Sequence, residues 1–263
     1  MNEPRHIDPH AAAALLAWMV ELGADEPILD APVDRYALAD APRPAHEPAA
    51  APAIVAPVVE EGPDPVAVAR ELAAQAQDLE SLAALQAGYD LCELKKGARN
   101  FVFADGDPSA RVMIIGEAPG RDEDLEGRPF VGRAGRLLDR MFSAIGLSRN
   151  ASHADEALYI TNVMPWRPPR NRDPEPQEIA MMLPFVQRHV ELVDPEIIVL
   201  MGNTPCQAAL GRKGVLRLRG TWVQAFGRSA MPMTHPAYLL RNPAAKREAW
   251  ADLLEIRARL RDA

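Results

Sequence analysis

Cysteine is nearly missing from this chain: of 263 residues only Cys92 and Cys206 carry thiols, more than a hundred positions apart. That scarcity excludes a disulfide framework and leaves free thiols in a reducing compartment as the expectation. Long apolar runs are missing too. Nothing approaches the roughly 18 consecutive apolar residues that span a bilayer, and no secretory pattern is read at the start. No membrane association and a cytoplasmic location are therefore expected. Positive charge is short overall, with a formal net charge of -8. That balance argues against a nucleic-acid partner, because affinity for phosphate backbones comes largely from Lys and Arg.

The shortage turns out to be local. Residues 1–80 carry four Lys/Arg against fifteen Asp/Glu, whereas residues 81–263 carry 25 against 22, a net +3. Proline is equally uneven, with 11 of 25 in residues 1–66. From Asp30 to Pro65 an Ala/Pro/acidic mixture shows no apolar periodicity, so it cannot bury enough surface to offset its ordering entropy and reads as a linker. Before it, Asp8 to Leu22 has an Asp cap and apolar residues at helical spacing. The expected organisation is a helical segment at 1–29, a linker at 30–65 and a folded body at 66–263.

Within the body, Asp64 to Ala87 reads as a helix with Asp64 and Pro65 at its cap and first turn. Apolar, β-branched runs at Arg111–Ile115, Leu158–Val163, Glu196–Met201 and Ala230–Met233 read as strands. Helical patterns at Gly135–Ile145, Glu175–Leu192 and Thr204–Leu210 alternate with them, and Pro243–Leu260 closes the chain. Continuous rather than alternating strand hydrophobicity implies a sheet covered on both faces. Right-handed crossovers then give a three-layer α/β/α domain around a mainly parallel four-stranded sheet. A hairpin edge is expected around Leu216–Phe226.

Chemistry concentrates where strands end. Arg111–Ile115 breaks into Gly116-Glu117-Ala118-Pro119-Gly120, followed by Gly127-Arg128-Pro129-Phe130-Val131-Gly132. A Gly/Pro turn holding one carboxylate suits an active-site loop, and a phosphate-cradling loop is its structural rival. A second loop, Thr234-His235-Pro236-Ala237-Tyr238-Leu239-Leu240-Arg241, follows the last strand. In parallel sheets the loops after strands share one crevice, so Glu117 and His235 can face one ligand. Asn162 ends another strand, and Arg167-Pro168-Pro169-Arg170-Asn171-Arg172-Asp173-Pro174 is a stiff, basic loop.

Together these motifs closely resemble the iron-sulfur (family 4) type of uracil-DNA glycosylase, over residues 88–260. The resemblance implies removal of uracil from DNA by hydrolysis of its N-glycosidic bond, leaving an abasic site. It assigns Glu117 and His235 to catalysis, and Gly116, Ala118, Phe130, Asn162 and Glu123 to uracil. Phe130 would stack on the flipped base, the Asn162 amide would read its edge, and Glu123 would crowd its C5 position to reject thymine. Arg167, Arg170, Arg172, Leu239, Leu240 and Arg241 would contact DNA, the two leucines as wedges in the minor groove. A non-catalytic protein that grips uracil-containing or single-stranded DNA is the alternative. A covalent histidine trap is disfavoured because no histidine lies between Val163 and Glu178.

The resemblance also implies a four-iron, four-sulfur cluster on four cysteines, but the matching positions hold Tyr89, Cys92, Trp166 and Met182. One thiolate cannot hold such a cluster. No metal or other cofactor is therefore expected, and Tyr89, Trp166 and Met182 are expected to pack together as a small satellite core. A monomer is expected. For the acidic amino-terminal third two uses stay open, tethering a repair protein or repelling nonspecific DNA.

Overall fold

The computed structural model describes residues 8–21 and 63–262. The chain divides into two units, 1–59 and 60–263. In the first, α1 spans Pro9–Glu21; most of the Pro/Ala-rich stretch read as a linker lies outside the described residues.

The second unit opens with two helices where the sequence pattern suggests one. α2 (Pro65–Gln75) starts on the Asp64 side chain, which accepts from the Val66 amide. α3 (Leu79–Ala87) begins afresh because Asp78 and Ser81 form a reciprocal cap, and such a box satisfies amides that would otherwise be orphaned at a helix start. Beyond them come α4 (Leu94–Gly97), β1 (Ala104–Gly106), β2 (Val112–Gly116), α5 (Arg121–Glu126), α6 (Arg133–Ser143) and β3 (Leu158–Asn162). The chain continues through α7 (Pro176–Val193), β4 (Ile197–Met201), α8 (Asn203–Leu210), α9 (Val215–Leu218), β5 (Val223–Ala225), β6 (Arg228–Met233), α10 (Pro236–Arg241) and α11 (Lys246–Asp262).

The sheet has six strands in the order β1-β3-β2-β4-β6-β5. Its centre is the expected parallel set, with β2 pairing β3 and β4, and β4 pairing β6. Two short antiparallel strands, β1 and β5, are added at the edges. The hairpin expected at Leu216–Phe226 is displaced: Leu216 belongs to α9, and the hairpin joins β5 to β6 through Phe226 and Gly227. Both turn residues have positive φ, 51° and 74°, the geometry a two-residue hairpin turn requires.

Every residue of β2, β3 and β4 is buried. Successive side chains go to opposite faces. Met113, Ile115, Ile198 and Leu200 join one core with α2, α3 and α7, while Val112, Ile114, Ile197 and Val199 join another with Leu138 and Phe142 of α6 and Leu253 and Ile256 of α11. The three layers follow from that alternation. All four parallel strands end at the same edge, and the loops after them build one crevice.

Candidate active site

That crevice is a cleft of about 570 Å³ whose lining includes Glu117, Ala118, Glu123, Phe130, Asn162 and His235, within the size range of small-molecule sites. Four loops distant in sequence therefore meet, as expected where parallel strands end together.

Gly116, the last residue of β2, makes the meeting possible. A Cβ there would lie 2.3 Å from Asn162 Oδ1 and 2.5 and 2.7 Å from two atoms of the Phe130 ring. Only glycine lets both side chains reach this strand end. Asn162 is 6% exposed, and its Oδ1 is buried without a hydrogen-bond partner among the described residues. An unpaired buried carbonyl carries a desolvation penalty of about 1 to 3 kcal/mol, which a ligand donor would relieve.

Glu117, next along the chain, is half-buried. The Thr204 hydroxyl on α8 donates to its Oε2 at 2.9 Å. Burial pushes the carboxyl pKa above its ordinary value, the Thr204 hydrogen bond pulls it down, and the charge of Asp173 pushes it up.

Phe130 sits in left-handed backbone, φ 54°, a conformation uncommon for an aromatic residue. Two neighbours impose it. Its carbonyl lies where a side chain on Gly135 would be, 1.7 Å from the position of a Cβ. The nearly buried Arg149 guanidinium donates to the carbonyls of Pro129 (2.8 Å) and Phe130 (3.0 Å), and is itself held by Asp139 and Asp105. The ring belongs to the core beneath it and lines the cleft as well.

His235 caps α10, its Nδ1 accepting from the Ala237 amide at 3.1 Å. An acceptor at Nδ1 puts the proton of a neutral imidazole on Nε2. Burial lowers the ring's pKa to about 4, the charge of Arg241 acting in the same direction, so the ring is neutral at physiological pH. Gly202 at the end of β4, φ 107°, allows its close approach. The imidazole lies 5.5 Å from the Phe130 ring, centroid to centroid, at 29°. Beside it Thr234, 1% exposed, has a buried hydroxyl without a partner among the described residues.

Other residues singled out in the sequence have different surroundings. Glu123 lines the cleft, but its carboxylate accepts from the amides of Gly120 (3.1 Å), Val131 (3.1 Å) and Gly132 (2.9 Å), bracing the GEAPG turn against the PFVG loop. Its neighbour Asp124 is buried and accepts from the amides of Arg99 and Asn100. Arg170 is exposed, and Arg167 is half-buried with its Nε on Asn171 Oδ1. Arg172 lines the cleft but is paired with Glu178 through two hydrogen bonds of 2.9 and 2.6 Å, so part of its charge is already engaged within the protein. Leu239 is corrected: it is 0% exposed in a cluster with Leu137 and Ala249 and anchors α10 instead of facing DNA. Leu240 is half-buried against the same cluster, and Arg241 is exposed on the cleft.

Thr204 and Arg149 were not singled out in the sequence. Thr204 carries a signal, since Gly202-Asn203-Thr204 follows a strand and opens a helix. Arg149 carries none, because its partners lie 10 to 44 positions away.

The four positions that a cluster would use hold Tyr89, Cys92, Trp166 and Met182, between 0 and 2% exposed. The Tyr89 hydroxyl donates to the Pro65 carbonyl at 2.8 Å and its ring meets Phe185 edge-on, Trp166 packs on Phe101, and the Gln86 amide points at the Met182 sulfur. Burial raises the Cys92 thiol pKa, which opposes thiolate formation. These residues do not fit an iron-sulfur cluster. They are also not a satellite: all four belong to the main core on their face of the sheet.

Comparison with known proteins agrees with this architecture. Residues 103–254 match the family model described as the Uracil DNA glycosylase superfamily. The chain is 38% identical over 174 residues to the type-4 uracil-DNA glycosylase of Archaeoglobus fulgidus, covering 63% of this chain and 84% of that one. It is 37% identical over 179 residues to the Saccharolobus solfataricus enzyme of the same name, covering 64% and 80%. For the Pyrobaculum aerophilum enzyme the values are 36% over 187 residues, covering 67% and 91%. With the family model spanning more than half of its length, this chain belongs to the uracil DNA glycosylase superfamily.

Proposed function

We propose that the chain takes uracil out of the DNA stack and hydrolyses its N-glycosidic bond, leaving an abasic site. The observation that carries this reading is the unpaired Asn162 Oδ1 in a cleft shared with a carboxylate, an aromatic ring and a neutral imidazole. Uracil offers N3–H to that oxygen and O4 to the same amide's NH₂. Cytosine presents an acceptor at N3 and a donor at position 4, so a fixed amide rejects it. The Phe130 face replaces the stacking the base loses on extrusion, worth about 1 to 3 kcal/mol.

As the bond breaks, the sugar becomes an oxocarbenium-like cation and the base an anion. The Glu117 carboxylate stabilises the first and orients the attacking water; Nε2–H of His235 donates to uracil O2 as charge builds there. Gly116 and Ala118 supply close backbone around the base. Arg167, Arg170 and Arg241 are the cations suited to phosphates.

The test is incubation of purified protein with a single-uracil oligonucleotide, followed by alkali. Multiple-turnover strand scission, lost in Asn162→Asp and His235→Ala, is the expected result. A stable complex without scission would instead favour a binding module, and unchanged rates in both variants would remove the assigned roles.

A further inference from the structure

One part of the cleft lining takes no part in this chemistry. The segment Gly211–Gly220 (GRKGVLRLRG) holds four cations and no acidic residue, and its short helix α9 presents Val215 and Leu216 to the cleft. Val215 and Leu218 are buried, whereas Leu216 is 53% exposed. A single exposed leucine is ordinary on a protein surface. This one differs in how it is held and in what lies beside it in the sequence.

Both ends of α9 are fastened. At the front, Asn203 Oδ1 accepts from the amides of Gly214 (3.1 Å) and Val215 (2.9 Å), and Gly214 takes a φ of 98° that favours glycine. At the back, Arg219 is paired with the buried Asp252 carboxylate and donates to the Glu248 carbonyl at 2.6 Å. Leu216 lines the cleft while Val215 and Leu218 on either side of it are buried. Beside it in the sequence, Arg212, Lys213 and Arg217 are exposed and form no salt bridge among the described residues. An exposed apolar side chain on a helix fastened at both ends, with unpaired cations beside it in the sequence, suits a partner with an apolar interior and an anionic edge, which describes the base stack of a nucleic-acid duplex and its phosphates.

We infer that Leu216 enters the DNA stack beside the extruded nucleotide, with Arg212, Lys213 and Arg217 on the flanking phosphates. The inference rests on the proposed uracil chemistry and adds to it an exposed wedge, which buried Leu239 and half-buried Leu240 do not present. Apolar wedges of this kind offset the unstacking that base extrusion requires.

The experiment compares wild type with Leu216→Ala and Leu216→Met on uracil in duplex and in single-stranded oligonucleotides. Leu216→Ala should lose at least about ten-fold in kcat/KM on duplex and clearly less on single strands, which have no stack to prop open, and Leu216→Met should recover most of the loss. Replacing Arg212, Lys213 and Arg217 by Ala should flatten the dependence of log affinity on log salt by roughly 0.9 for each phosphate that is no longer neutralised. Equal losses on both substrates, or none, overturn the inference. A 2-aminopurine beside the uracil reports unstacking without cleavage. If wild type fails to cleave, the uracil chemistry fails alone, and fluorescence that rises with wild type but not with Leu216→Ala still supports the wedge; the same rise with both refutes it.

Discussion

Gly116→Ala puts the convergence of the site to its sharpest test. The new methyl would stand 2.3 Å from Asn162 Oδ1 and 2.5 Å from the nearest Phe130 ring atom, where ordinary contacts begin at 3.4 Å. Each side chain must give way by about 1 Å. Neither retreat is free, because Phe130 is locked by Arg149 through its own carbonyl and Asn162 ends a buried strand paired with β2. A displacement of about 1 Å in groups that position a reacting base costs on the order of 100-fold in rate, equivalent to about 2.7 kcal/mol of transition-state stabilisation. Single-turnover cleavage of a uracil oligonucleotide measures the rate, and thermal unfolding of the same preparation shows whether the fold survives. Activity within about three-fold of wild type in a folded Gly116→Ala protein would refute the claim that these three residues share one base.

Four further outcomes are expected. On the proposed roles the acid limb of kcat/KM should follow Glu117, whose pKa burial raises above its ordinary value; rates fall as pH drops through it because the proposed role needs the carboxylate, not the acid. Thr204→Val removes the hydrogen bond that lowers this pKa, so the limb should move to higher pH and Thr204→Ser should move it back; an unshifted limb removes the positioning role. His189, fully buried against Tyr159 and Phe103, has its pKa depressed by burial from 6.5 to about 3. Its contribution to stability is complete above 6.5 and lost as pH falls from there toward 3, since only the unfolded ring takes up the proton. Denaturant titrations of His189→Gln should therefore show a pH slope between 6 and 4 shallower by about 1.4 kcal/mol per unit, and identical slopes would contradict this. Trp166→Ala should cost about 3 to 5 kcal/mol and lower Tm by on the order of 10 °C, whereas a shift of about 2 °C or less would mean that the indole does not tie its segments together.

The parallel centre of the sheet and the meeting of Glu117, Phe130, Asn162 and His235 were legible because both follow from strand-end loops, which sequence punctuates with Gly, Pro and polar residues. The edge strand β1 was not, being three residues with no apolar pattern of its own, and β5, equally short, was expected only as part of a hairpin edge placed too early in the chain. The break between α2 and α3 hinges on Ser81 reaching back to Asp78, a local competition that apolar periodicity does not register. Leu239 misled for the opposite reason: a leucine after a loop motif looks available until tertiary packing claims it. Glu123 and Arg172 show the same limit for charges. A carboxylate or guanidinium in a motif says nothing of whether backbone amides or a neighbouring side chain have already engaged it.

The loops around the cleft are braced from within: Glu123 gathers three amides, Arg149 grips two carbonyls and Asn203 secures α9. A cavity so furnished has little adjusting left to do when its guest arrives. On the proposed chemistry the travelling then belongs to the nucleotide, and turnover should track the ease with which each uracil abandons its opposite base, fastest from wobble mismatches and slowest from well-stacked pairs with adenine.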